Sequence, residues 1–267
     1  VGADLHEAPV HLDITKPSSV AETFERLHPD VVIHCAAYTN VDKAEADAIS
    51  AYRVNALGSW SVATACSRVG AALCYISTDY VFDGQTSAPY HEFNIPHPLN
   101  VYGASKLAGE REVAERCPRS WIVRTAWLYG IAGKSFVRTM LEKGAAGQPL
   151  SVVADQFGSP TYTRDLARAI WQVVLQAPCG VYHRVNGGVA SWYELACAAL
   201  SVAHFDERLV TPIASSEWPS PATRPPYSAL SSMTAEAVGL PPLRPWREAL
   251  TDFVTELHKT RTPKASV

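Results

Sequence analysis

Tyr102 and Lys106 stand four residues apart in the stretch YGASK, and Ser77 and Thr78 precede them by about twenty-five residues in STDYVFDG (77–84). On a helix that spacing puts tyrosine and lysine on one face. A tyrosine ordinarily ionises near pH ~10, and a neighbouring ammonium favours the phenolate and lowers that value. Such a pair is expected to exchange a proton with a substrate oxygen near neutral pH. A hydroxyl at the carboxyl end of a strand, as Thr78 would be, can hydrogen-bond and polarise the same oxygen. Alone, Tyr-x-x-x-Lys is a frequent coincidence of a surface tyrosine and a solvated lysine. Its place gives it weight: it opens the helix after a strand ending in STDYVFDG, and a second strand, VVIHCAAY, lies upstream.

The rest of the chain supplies elements to hold these groups. A helix over 18–28 sets Val20, Phe24 and Leu27 on one face, with Pro17 suited to its first turn. DVVIHCAAY (30–38) reads as a near-continuous apolar strand, as in a sheet covered on both faces. Residues 43–69 read as helix in two pieces, 72–78 as strand, 100–117 as helix and 120–130 as strand. A helix over 135–144, a strand over 150–154, a helix over 163–176 and a strand over 180–186 follow. Ser191 and Glu194 form a capping-box pattern. Residues 211–245 are rich in proline but carry Tyr227, Leu230, Val238 and Leu240, so they read as ordered loop with short elements. The tail TRTPKASV reads as disordered. Repeated strand–helix–strand units argue for an α/β fold with a parallel, doubly wound sheet.

Composition narrows the function classes. Of 267 residues 47% are apolar and 18% charged, with a formal net charge of −3, which suits one large or two coupled domains. Lysine and arginine are scattered rather than clustered, which argues against a nucleic-acid partner. No apolar run approaches the ~18 residues of a membrane span, and no basic segment followed by an apolar stretch marks the start as a signal peptide. The expectation is a cytoplasmic protein. Its six cysteines, Cys35, Cys66, Cys74, Cys117, Cys179 and Cys197, form no C-x-x-C pair and read as buried, reduced thiols. No histidine pair at ligand spacing points to a metal.

DVVIHCAAYTNVDKAEAD, YRVNALG, STDYVFDG, PLNVYGASKLAGE, VRTAWLYG, DQFGSPTY and PPYSALSS together resemble the extended short-chain dehydrogenase/reductases, and within them the dTDP-4-dehydrorhamnose reductases. The motifs occur in the family's order from about residue 11 to 250. The resemblance implies a Rossmann-type sheet carrying cofactor, with a smaller mixed α/β substrate domain. The cofactor half would be 1–130 with 159–186 returning to it, and the substrate half 131–158 and 187–267. It implies NADPH or NADH reducing the C4 ketone of a dTDP-4-keto-6-deoxy sugar, such as dTDP-4-dehydro-L-rhamnose. Thr78, Tyr102 and Lys106 match the catalytic triad, with Tyr102 protonating the C4 oxygen and Lys106 also holding the nicotinamide ribose. Asp13 and Ile14 match the adenine flank, and Ala36, Ala37 and Thr39 the loop along the cofactor diphosphate and ribose. Val41, Asp79, Tyr80 and Trp127 match positions around the sugar, and Trp127 also reads as a core aromatic. Arg224 is assigned to the substrate's diphosphate, with a plain surface arginine as the alternative.

Related dehydratases resemble S-T-D-E-V-Y-G at the strand end, where a carboxylate pair serves elimination. Tyr80 stands here in place of that glutamate, which favours simple ketone reduction. The family's opening strand and Gly-rich turn are not matched, and the expectation is that the protein carries that segment ahead of residue 1. A non-catalytic subunit resembling the regulatory subunit of methionine adenosyltransferase is the competing reading. Relatives that dimerise through metal-bridged glutamates have no matching positions here, so a homodimer is allowed but no metal is assigned.

Overall fold

The computed structural model describes residues 1–5 and 8–261. Two short strands, β1 (Ala3–Asp4) and β2 (Val10–His11), pair in parallel. Helix α1 (Pro17–Leu27) follows, with proline in its first turn and Val20 and Phe24 turned inward. After β3 (Val31–His34) come α2 (Val41–Ala46), α3 (Ala48–Tyr52), a π-helical segment over Arg53–Gly58, and α4 (Ser59–Val69). Then β4 (Ala72–Thr78), α5 (Val101–Arg116), β5 (Ser120–Thr125) and β6 (Leu128–Tyr129) appear in turn. The remainder comprises α6 (Phe136–Ala145), β7 (Leu150–Val153), β8 (Phe157–Gly158), β9 (Thr161–Tyr162), α7 (Thr163–Gln176), β10 (Gly180–His183), β11 (Ala190–Ser191), α8 (Trp192–Val202), β12 (Val210–Ile213), α9 (Met233–Ala237) and α10 (Trp246–Arg261).

The central sheet is parallel in the order β10-β5-β4-β3. Alternation along β4 sorts its side chains: Leu73 and Tyr75 join Val20, Phe24, Val62, Cys66 and Val113 on one face. Ala72 and Cys74 join Trp121, Val123, Leu166, Ile170 and Val173 on the other. Along β4 and β5 both faces are covered by helices, as in a doubly wound Rossmann-type sheet. A second body packs α6, α8 and α10 around Leu141, Leu195, Leu250 and Phe253, with β7 and β12 paired beside α8. Ala235 of α9 and Leu240 pack on the sheet, with α7.

Several expectations change. The strand foreseen over 30–38 pairs only over Val31–His34, because the chain leaves the sheet at Cys35 to line a crevice. β3 is also not covered as expected. It forms an outer edge among the described residues, and Ile33 is 40% exposed. The strand foreseen over 120–130 stops at Thr125, and β6 pairs with β9 instead. The reason is a turn at Trp127, whose φ is 48°. The helical stretch 43–69 falls in more than two pieces. Cys35 and Cys179 are exposed, not buried: one sits past the last paired residue of β3, the other in the turn before β10. The Ser191–Glu194 capping box forms, and 211–245 carries β12, α9 and the bridge Tyr90↔Leu230. Within the tail, α10 runs on to Arg261, and 262–267 lie outside the described residues. Among the described residues no helix is long and apolar enough to cross a membrane.

Candidate active site

Thr78 is the last residue of β4. Its hydroxyl accepts from Tyr80 N at 3.2 Å and donates to Asp79 Oδ1 at 3.0 Å, fixing the turn that follows. Helix α5 arrives against this turn. Asn100 caps it by accepting from Gly103 N at 2.8 Å, and Glu45 accepts from Val101 N at 2.8 Å. Gly103 is the point of closest approach: a Cβ there would collide with the Tyr80 carbonyl. The glycine of YGASK therefore lets the helix touch the turn and brings Tyr102 beside Thr78 at the crevice. The Tyr102 ring meets Tyr80 edge-on, with centroids 5.9 Å apart. One turn on, Lys106 is buried and donates to Ile76 O at 2.6 Å, its ammonium 4.0 Å from the Tyr75 ring centre.

The electrostatics differ from the sequence expectation. Burial pushes the Tyr102 phenol up to about 12, with Asp79 adding and the Thr78 hydrogen bond opposing. Lysine does not lower it, because Lys106 is itself desolvated and held down at about 7, against the pull of Glu110. Tyr102 is thus a phenol that keeps its proton at neutral pH. Asp79 is pushed up to about 7 by burial, opposed by hydrogen bonds from Ser228 and Thr78. An unfolded aspartate releases its proton near pH ~4. Between about 4 and 7 the folded state therefore holds the extra proton, and stability falls as pH rises through that window. Asp79→Asn is expected to flatten that slope and to gain stability at about pH 8 relative to about pH 5, measured by urea midpoints; equal slopes would contradict the buried carboxyl.

A cavity of about 370 Å³ opens at the carboxyl ends of β3, β4 and β5. It brings together Ala37, Thr39, Val41, Thr78, Asp79, Tyr80, Tyr102, Lys106 and Trp127, all named from sequence. Asp13, Ile14, Ala36 and Arg224 lie outside its lining. Asp13 is held by Thr15 at the approach to α1, and Ile14 packs under Gly58. Arg224 borders an adjoining groove of about 800 Å³ and is clasped by Asp42 at 3.0 and 2.9 Å. Trp127 is not an open platform either: Trp192 lies flat on one face of its ring.

The chain matches the family model described as the RmlD substrate binding domain over residues 3–259. A dTDP-4-dehydrorhamnose reductase of Mycolicibacterium smegmatis is 47% identical over 84% of this chain and 70% of its own length. The Bacillus subtilis spore coat polysaccharide biosynthesis protein SpsK is 40% identical over 92% of this chain and 86% of its own. This chain belongs to the dTDP-4-dehydrorhamnose reductase family. A crystal structure of such a reductase from Bacillus anthracis, in complex with NADP, superposes with a TM-score of 0.90 at 42% identity, covering 95% of this chain and 92% of that one.

Within this reductase-family scaffold, other residues support the crevice that residue-type reasoning had not assigned. Asn55, from YRVNALG, accepts from Tyr38 N at 2.7 Å and donates to Tyr38 O at 3.1 Å and to Ser105 at 2.9 Å. It ties the loop after β3 to α5. Ser228, from PPYSALSS, donates to Asp79. Both sat inside quoted motifs, where a polar residue in an apolar run was the available signal. Trp192 gave no signal beyond following the capping serine.

Proposed function

We propose that this chain is an NAD(P)H-dependent reductase of the C4 ketone of a dTDP-4-keto-6-deoxyhexose, dTDP-4-dehydro-L-rhamnose or a closely related sugar. The observation that carries the reading is the meeting of Thr78, Tyr102 and Lys106 in one crevice at the strand ends, in a chain of this family.

The residues present fit a nicotinamide dinucleotide. The Thr125 hydroxyl is buried in the crevice lining without a partner among the described residues, and a buried group of that kind ordinarily has one. Asp13, Ile14, Ala36, Ala37, Thr39, Tyr102 and Lys106 would hold the dinucleotide, which when bound supplies the hydride for C4. Tyr102 gives its phenolic proton to the C4 oxygen. Thr78 would turn its single hydroxyl hydrogen from Asp79 to that oxygen, which limits the charge developing in a desolvated site. Lys106 holds the ribose. Val41, Asp79, Tyr80 and Trp127 would surround the sugar, and the adjoining groove has room for the nucleotide. Arg224 would serve the diphosphate by turning from Asp42, whose carboxylate it holds down at about 2.

The division into a cofactor half (1–130 and 159–186) and a substrate half (131–158 and 187–267) is supported by the core around Leu73 and Tyr75, confined to the first, and the core around Leu150 and Leu200, confined to the second; it is crossed where Tyr129 and Tyr162 pack with Phe253 and where Leu230 packs with Val81 and Phe82. The segment 233–240 is an outlier, since it packs on the sheet. The reading carries with it a cytoplasmic protein and allows a homodimer.

The test supplies a dTDP-4-keto-6-deoxyhexose with NADPH and then NADH, follows cofactor oxidation, and identifies the C4 epimer formed. No oxidation with either cofactor sinks the reading. A pH profile adds a second check. Because Lys106 titrates near 7, kcat/KM, which reports the free enzyme, is expected to decline as pH rises through about 7. A profile flat from about 6 to 9 would contradict a required ammonium at Lys106.

A further inference from the structure

Trp127 and Trp192 lie face to face, ring centroids 3.5 Å apart and planes within 4°. They come from different elements: Trp127 follows β5, and Trp192 opens α8. Trp127 has φ at 48°, a left-handed conformation that a bulky residue adopts only when its surroundings impose it. Three contacts do so here. Gly158 approaches so closely that a Cβ would collide with the indole. Thr161 N donates to the Trp127 carbonyl at 3.2 Å. Trp192 covers one face of the ring. Trp192 is itself held firmly, since the Ser191–Glu194 capping box sets the start of its helix and Phe136 tilts against it at 4.7 Å. It borders both the crevice that contains Thr78, Tyr102 and Lys106 and the groove that runs to Arg224.

We propose that Trp192 is a positioning residue for the sugar: it holds the Trp127 indole at the crevice wall and closes that wall toward the groove. Trp192 thereby sets the affinity for the nucleotide-linked sugar and leaves proton delivery by Tyr102 untouched. The identity of the sugar rests on the reductase reading; the paired indoles do not. A flat ring is held in place by another flat ring, so the aromatic side chain, rather than apolar bulk, is what the position requires.

The test compares the protein with its Trp192→Phe and Trp192→Leu variants by calorimetry. The probes are dTDP-glucose, which carries no C4 ketone, and dTDP alone. Leucine keeps bulk and loses the ring, and is expected to weaken dTDP-glucose binding about tenfold; phenylalanine is expected to weaken it about threefold or less. Binding of dTDP is expected to stay within about twofold in both. The exciton couplet of the stacked indoles in the far-ultraviolet circular dichroism should vanish in both variants, with the rest of the spectrum retained. In turnover, KM for the keto sugar should follow the same order while kcat holds. Leucine matching phenylalanine, dTDP losing as much as dTDP-glucose, or kcat falling at constant KM would each overturn the proposal. Protein that binds dTDP-glucose but reduces no 4-keto sugar would sink the reductase reading alone, and calorimetry would still decide the role of Trp192. Protein that binds neither probe overturns both.

Discussion

Tyr102→Phe is expected to lower kcat by about a thousandfold, within the range that a positioned general acid supplies, while KM stays within about threefold. The substitution removes one oxygen. The ring keeps its edge contact with Tyr80, and Thr78 keeps Asp79 as a partner, so neither the crevice nor the fold loses its shape. What disappears is the proton held by a buried phenol pushed up to about 12. Steady-state kinetics with the keto sugar nucleotide check the outcome, with thermal unfolding as a control for the fold. A loss confined to KM would mean that Tyr102 only binds, and an unchanged kcat would place the acid elsewhere.

Glu110→Ala is expected to have the largest effect on stability, about 3–5 kcal/mol. Glu110 sits on α5 one turn beyond Lys106. It takes a paired grip from Arg124, with Nε at 2.9 Å and the second contact at 2.7 Å, and a further hydrogen bond from Ser77. Both charged side chains are only 5% exposed. Removing the carboxylate leaves a guanidinium buried without its counter-ion, beside Phe82 and His183, and leaves the Lys106 ammonium with less to favour it. Urea unfolding of the variant and the parent gives the difference directly. A shift below about 1 kcal/mol would mean that water reaches Arg124 and that the pair is not truly enclosed.

What could be read from the sequence was what local chemistry dictates. The spacing of Tyr102 and Lys106 fixed their shared face, the apolar run ALCYIST announced a strand, and Ser191 and Glu194 announced a cap. The resemblance carried the rest of the crevice, including Val41 and Trp127. What could not be read depends on long-range approach. The Trp127–Trp192 stack joins residues 65 positions apart in sequence (192 − 127), and the Asp42–Arg224 clasp spans 182. No periodicity encodes either. The direction of the Tyr102 shift was missed for a related reason: spacing shows that a lysine is near, but only packing shows that both groups are dry. Strand ends were lost at Cys35 and Trp127, where apolar residues continue past the sheet because they line a cavity instead of a core.

The groups proposed to handle the proton all belong to two adjoining elements, Thr78 to β4 and Tyr102 and Lys106 to α5. The facing wall, with Phe136, Val137, Trp192 and Leu195, belongs to α6, α8 and their flanks. The two walls of the crevice are therefore carried by different stretches of chain. Substitutions on α6 and α8 can reshape the facing wall while Thr78, Tyr102 and Lys106 stay in place on β4 and α5.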